Sequence, residues 1–139
     1  MSSNGVKLTI NTDGGARGNP GPAGIGVVIR GESGKVVEKF GKYLGDDFTN
    51  NQAEYQAVIE AMRAAKGLGG TILEFHMDSE LCVRQLNHIY KVKEPQLQQL
   101  FLQVKNLQTA FQKVTFTHIP REENRAADKM VNEAIDKAI

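Results

Sequence analysis

An α/β domain with a mixed sheet follows from three observations: short alternating apolar runs that end in turn residues, an alanine-rich stretch bounded by helix signals, and the order in which the two kinds of segment succeed one another. Lys7-Leu-Thr-Ile-Asn-Thr12 alternates in polarity and closes at Asp13 before Gly14-Gly15, a strand running into a loop. The loop is dense in glycine and proline as far as Gly24. Residues 26–30 and 35–43 form a hairpin about Glu32-Ser33-Gly34, so three antiparallel strands open the chain. Thr49-Asn-Asn-Gln52 is a capping box, in which the Thr hydroxyl and the Gln side chain satisfy free amides of a first helical turn. Alanine-rich sequence carries that helix to about Lys66, where Gly67, Gly69 and Gly70 stop it. Residues 72–77 are a fourth strand ending at Asp78, and 79–87 a short helix. A longer helix over 95–110 opens with Pro95 in its first turn, where a missing amide hydrogen does no harm. Residues 114–118 are a fifth strand, and a last helix runs from about Asn124 to the C-terminus. The order is βββαβααβα.

A chain of 139 residues can bury one core but not two comfortable ones, so residues 1–139 are expected to form a single domain. With 40% hydrophobic and 24% charged residues and no long apolar run, the composition is that of a soluble globular protein and points away from a membrane. Met1-Ser-Ser-Asn-Gly5 has neither the apolar centre of a signal peptide nor the arginines of a transit sequence, which leads us to expect a cytoplasmic protein. Cys82 is the sole cysteine, which excludes an intrachain disulfide and a thiolate zinc site. A net charge of +1 gives no global basic signal for nucleic acid, yet acids gathered in one site would offset basic residues elsewhere. A monomer is the default expectation.

Four acids stand at element edges: Asp13, Glu54, Asp78 and Asp128. Asp128 shares a helical stripe with Val131, Ile135 and Ile139, and Glu54 lines up with Val58, Ala61 and Ala65, so both are expected to face inward. Asp13 and Asp78 close strands, where α/β sheets present functional groups. Singly, each acid has an ordinary explanation: strand ends tolerate Asp, a first-turn Glu suits the helix dipole, and Asp128 has Arg125 and Lys129 beside it. Together they do not, because two charges ~4 Å apart repel by roughly 4 kcal/mol at an effective dielectric of 20. A bound cation offsets that repulsion. Oxygen ligands without thiolate select a hard ion such as Mg²⁺ or Mn²⁺, and two such ions roughly 4 Å apart can clamp a phosphodiester.

Four stretches in order carry a family resemblance: Thr12-Asp-Gly-Gly-Ala-Arg-Gly-Asn-Pro-Gly-Pro22, Thr49-Asn-Asn-Gln-Ala-Glu54, Met77-Asp-Ser79 and His118-Ile-Pro-Arg-Glu-Glu-Asn-Arg-Ala-Ala-Asp128. They resemble the signature blocks of ribonuclease HI. The resemblance implies a ribonuclease H-like fold, a five-stranded sheet in the order 3-2-1-4-5 with helices on both faces. It implies cleavage of the RNA strand of RNA/DNA hybrids with two Mg²⁺ ions, leaving 5′-phosphate and 3′-hydroxyl ends. On that likeness Asp13 would bridge both ions, Glu54 and Asp78 would complete the ion on the leaving-group side, and Asp128 would help hold the ion that activates water. His118, ten residues before Asp128, would assist proton transfer or product release, a reading that Pro120 and Asn124 support. His76 and His88 lack such neighbours and are read as structural.

Gly14 and Gly15 would let backbone approach a minor groove, while Asn19, Asn50 and Asn51 could meet 2′-hydroxyls and base edges. Ser79 belongs to the third block and is taken as a substrate contact with it. Thr49 resembles the family's DNA-phosphate residue, although its capping role is sufficient alone. The glycine-rich loop fits neither a dinucleotide motif nor a P-loop. The likeness has gaps. Where well-known bacterial members carry a basic protrusion with tryptophans, this chain has Leu86-Asn-His-Ile-Tyr-Lys-Val-Lys-Glu94 and no Trp, leaving Tyr90, Lys91 and Lys93 to meet the DNA strand. Glu80 stands where many relatives have an RNA-contacting Gln. This compact form is similar to archaeal-type members, some of which also cut double-stranded RNA. The competing readings are a silent hybrid-binding module, which should have lost an acid, and a transposase-like or junction-cutting relative, which should lack Asn50-Asn51 and Gly14-Gly15.

Overall fold

The computed structural model describes residues 5–139, and residues 1–4, where a leader would begin, lie outside the described residues. The elements are β1 (Lys7–Ala16), β2 (Gly21–Arg30), β3 (Val36–Phe48), α1 (Asn50–Gly67), β4 (Ile72–Met77), α2 (Glu80–Leu86), α3 (Pro95–Gln108), β5 (Lys113–His118) and α4 (Arg125–Ala138), with a 3-10 turn at Arg121–Glu123. The sheet order is β3-β2-β1-β4-β5. β1 and β3 flank β2 antiparallel, while β4 runs parallel to both β1 and β5. The order of elements and strands agrees with the sequence expectation, save for the short 3-10 turn.

α1, α2 and α3 cover one face. There Ile10, Val27, Ile29, Tyr55, Ile59, Met62 and Phe75 are fully buried in one cluster, and each such side chain contributes about 1.5–3 kcal/mol. Phe75 stacks on its β5 neighbour Phe116 with ring centroids 5.4 Å apart. The capping box at Thr49 and Gln52 is present, with both reciprocal bonds made. α4 covers the opposite face over β2, β1 and β3.

The glycine-rich stretch departs from its expected loop. β1 and β2 continue through it as a paired ladder, Gly15 opposite Gly24 and Ala16 opposite Ala23, which confines the turn to residues 17–20. The reason lies above the sheet. A Cβ on Gly24, within that stretch, would stand 3.1 Å from the Val131 carbonyl oxygen. Further along the same strands, one on Gly26 would overlap the Ala127 carbonyl oxygen and one on Gly41 would stand 2.8 Å from that of Met130. These glycines let α4 lie close on the strands instead of turning the chain. β3 likewise runs past Tyr43 to Phe48, with register shifts along its pairing to β2. Ile139, expected on the buried stripe of α4, is 70% exposed. α4 ends at Ala138, so the stripe stops at Ile135.

Candidate active site

Asp13 and Asp78 meet because their strands are parallel neighbours. Thr12 is paired with Met77, both are buried, and successive residues alternate faces. Each acid is therefore the next residue along, turned toward the face that α4 covers. Asp128 comes from the first turn of α4. Glu54 has to cross from the other layer.

Gly14 makes that crossing feasible. A Cβ there would overlap the Ala53 carbonyl and stand 2.6 Å from the Glu54 nitrogen, so only glycine admits α1 this closely. The Gly14 amide then donates to Asp13 Oδ1 at 3.0 Å and Glu54 Oε1 at 3.2 Å. Gly14 therefore meets α1 through its Cα while its backbone also lines the cleft. Gly15 differs: a Cβ there would meet only Asn50 Oδ1 and Val131 Cγ1, both at 3.8 Å.

Carboxylate oxygens of Asp13, Glu54 and Asp78 lie within 4.8 Å of one another. Asp13 and Glu54 are each 7% exposed. Burial, then the charge of Asp78 and the adjoining Asp128, push the Asp13 carboxyl up to about 8 despite the Gly14 amide. Burial and then the charges of Asp13 and Asp78 drive Glu54 well above the carboxylate range. Asp78 is also raised by burial, but the Asn124 amide and the Arg121 guanidinium restrain it. Without a cation the cluster prefers protons. A set of crowded carboxylates without nitrogen or sulfur ligands, strained in the charged state, fits a hard divalent ion.

Asn124 fastens the assembly from below. It is 1% exposed, its Nδ2 donates to the Thr12 carbonyl at 2.8 Å, and its Oδ1 accepts from Asn11 Nδ2 at 3.1 Å. The chain just before α4 is thus tied to β1.

The four acids line a cleft of about 450 Å³ together with Gly14, Gly15, Asn50, Asn51 and Ser79. Three expected residues stand outside that lining. Asn19 sits in the β1–β2 turn and accepts from the Asn50 amide at 3.0 Å. The Thr49 hydroxyl is engaged by Gln52 at 3.1 Å. His118 is exposed at the end of β5, opposite Met77. Ser79 caps α2 by accepting from Cys82 at 3.2 Å. Among the described residues the cation within ion-pair reach of Asp128 is Arg121, at 3.9 Å, not Arg125 or Lys129.

Sequence reasoning passed over Arg17, Arg121 and Asn132, which also line the cleft. Both arginines stand inside the motif blocks, and Asn132 follows Asp128 at helical spacing, so the signal was present.

A family model described as reverse transcriptase-like matches residues 11–134. The N-terminal RNase H domain of Rv2228c from Mycobacterium tuberculosis is 40% identical, with 96% of each chain covered and a TM-score of 0.91. RNase H1 of the halophilic archaeon Halobacterium salinarum is 38% identical over 94% of this chain and 98% of that one, also with a TM-score of 0.91. The chain belongs to the type 1 ribonuclease H family. LC11-RNase H1, isolated from compost by a metagenomic approach and solved with an RNA/DNA hybrid, is 48% identical over 94% of this chain and 98% of that one, with a TM-score of 0.90. The chain spans 36% of the length of the bifunctional mycobacterial protein and 63% of the Halobacterium ribonuclease HI. Its likeness to the archaeal ribonuclease H accords with the compact segment between α2 and α3.

Proposed function

We propose that this chain is a ribonuclease H catalytic domain over residues 1–139, hydrolysing the RNA strand of RNA/DNA hybrids and leaving 5′-phosphate and 3′-hydroxyl ends. The observation that carries the reading is the convergence of Asp13, Glu54 and Asp78 within 4.8 Å in a cleft that Asp128 also lines. A silent binding module has no use for so costly an arrangement. Asp13, Glu54 and Asp78 would hold one divalent ion and Asp13 with Asp128 a second, Mg²⁺ or Mn²⁺, supplying Lewis-acid stabilisation of charge at the scissile phosphate.

The chain's own groups orient that centre. The Gly14 amide aims both Asp13 and Glu54, and Arg121 and Asn124 favour ionised Asp78. Asn50, Asn51, Gly15 and Ser79 face the strand in the cleft, where amide side chains can bond a 2′-hydroxyl that DNA lacks. Asn19 and Thr49 act one step back, Asn19 by holding Asn50 and Thr49 by capping α1. For His118, its exposed place at the strand end favours product release over bond breaking.

A second substrate, double-stranded RNA, rests on the compact segment between α2 and α3, in which the chain is similar to archaeal-type members, some of which also cut it. No helix among the described residues is long and apolar enough to cross a membrane, and we take the domain as a cytoplasmic monomer. The decisive experiment is cleavage of end-labelled hybrid, RNA duplex and single-stranded RNA with Mg²⁺ or Mn²⁺. Internal cuts in hybrid RNA, with product ends that a ligase requiring 5′-phosphate accepts, are expected. An intact hybrid with both metals would overturn the reading.

A further inference from the structure

Two cations line the cleft, and they stand at different places along α4. Arg121 lies beside Asp128. Arg17, in the β1–β2 turn, reaches Asp136, two helical turns past Asp128 and roughly 12 Å further along the axis. Its Nη1 is 2.7 Å from Asp136 Oδ1, and its Nη2 stands 3.4 Å from both the Asn132 carbonyl and the Asn132 side-chain oxygen.

The backbone of Arg17 is fixed and its head is not. The Arg17 amide closes the hairpin on the Pro22 carbonyl at 2.8 Å. The ion pair, by contrast, has side chains 40% and 65% exposed, and such pairs contribute only about 0–1 kcal/mol. Contacts of 3.4 Å are at the limit of a hydrogen bond. Asp136 occupies the last turn of α4, where the helix dipole disfavours an acid, and it lies outside the cleft lining that Arg17 joins. A guanidinium has five donors in a fork that matches phosphate oxygens, and exchanging this carboxylate for a phosphate is cheap.

We propose that Arg17 binds a phosphate of the strand lying in the cleft, at a distance from the one that is cut, and that Asp136 holds the guanidinium in place while the cleft is empty. This rests on the reading that the cleft takes an RNA/DNA hybrid. Arg17 is then a positioning residue that sets where the strand lies against the acids. The competing role is a strap that merely ties the turn to α4, and the two roles differ in the sign expected for Asp136. A strap loses function equally from either side. A phosphate ligand is released when its holder is neutralised.

The test is anisotropy of a fluorescein-labelled RNA/DNA hybrid across a salt titration, with Asp13→Asn as the parent so that cutting is suppressed. Adding Arg17→Gln is expected to weaken binding and to reduce the salt slope of log K by about one, the mark of one lost phosphate contact. Adding Asp136→Asn is expected to tighten binding about two- to fivefold at an unchanged slope. An unchanged slope in Arg17→Gln, or equal weakening by both substitutions, overturns the proposal and leaves the strap. A parent that binds no hybrid overturns the functional reading, and the Arg17 assignment with it.

Discussion

Asp13 and Glu54 are each 7% exposed, while Ile89 and Tyr90, in the segment joining α2 to α3, are 61% and 48% exposed. The acids are placed by neighbouring strands β1 and β4, by α1 through Gly14, and by α4 through Asn124. The joining segment is held at its base, by the Ile89 amide on the Arg84 carbonyl at 2.8 Å and by Val92 against the core. Its outer side chains make lighter contacts, such as Arg84 over the Tyr90 ring at 5.5 Å and His88 edge-on to Phe101 at 5.8 Å. Groups that must hold charge in a fixed geometry sit where several elements converge, so displacing one disturbs them all. Groups suited to gripping a polyanion sit where they can adapt. The difference predicts large, coupled effects in the first region and small, separable ones in the second.

The largest effect is expected from Asp13→Asn. Cleavage should fall by about a thousandfold or more, because residues acting as one unit lose nearly everything together. The same variant should be more stable than the parent without divalent metal at pH 9, where the native carboxyl has lost its proton. Parent-like turnover of labelled hybrid would remove the cluster from the mechanism and dissolve the contrast.

Gly14→Ala should come next, losing about 3 kcal/mol in urea melts because its new methyl would overlap the α1 backbone. Gly15→Ala, with open space over it, should stay within roughly 0.5 kcal/mol. Equal losses from the two substitutions would mean that Gly14 is not what admits Glu54.

Protonation gives a third, intermediate effect. Asp13 is raised from an ordinary carboxylate value to about 8 and Glu54 is raised with it, so the native state binds protons that the unfolded chain releases. Stability from that binding is fully present below the unfolded value near 4 and is lost as pH rises through about 8. The melting temperature without divalent metal should fall by roughly 5–10 °C between pH 5 and pH 9. Millimolar Mg²⁺ should restore it at pH 9, since an ion bound only by the native state stabilises that state. A flat melting profile without metal would show that the acids do not strain one another.

The strands, the helices and the four acids were legible in the sequence because periodicity and caps are local signals. Thr49 and Gln52 announce α1, and Asp128 declares its face through Val131 and Ile135. What escaped depends on partners distant in the chain. Gly26 and Gly41 fell inside expected strands without a reason for being glycine, because a missing side chain has no periodicity, and only α4 above them explains the absence. Arg17 and Arg121 stood in plain view within motifs, but whether they face the acids is decided by residues 100 or more positions away for one and by a 3-10 turn for the other. Thr49 was readable as a cap already engaged by α1, whereas Asn19 was readable only as a polar neighbour of the site and not as the acceptor of the Asn50 amide.

The smallest effects belong to the exposed segment. Lys91→Ala with Lys93→Ala should reduce the salt slope of hybrid binding by roughly two if both meet phosphate, with little change in turnover at saturation. Tyr90→Ala should raise KM severalfold by removing one stacking surface, within the roughly 1–3 kcal/mol that a base–aromatic contact contributes. The melting temperature should barely move, because Tyr90 leaves the cluster beneath it intact. A fall in kcat comparable with its rise in KM would mean that this segment reaches the acids after all. The coupling would then run through Arg84 and Leu86, whose carbonyl accepts from Lys105 at 2.7 Å, into α2 and Ser79 at the cleft. Lys105→Met separates the two routes: it removes the α2 tether and leaves Tyr90, Lys91 and Lys93 in place, so it should lower kcat only if α2 carries the coupling.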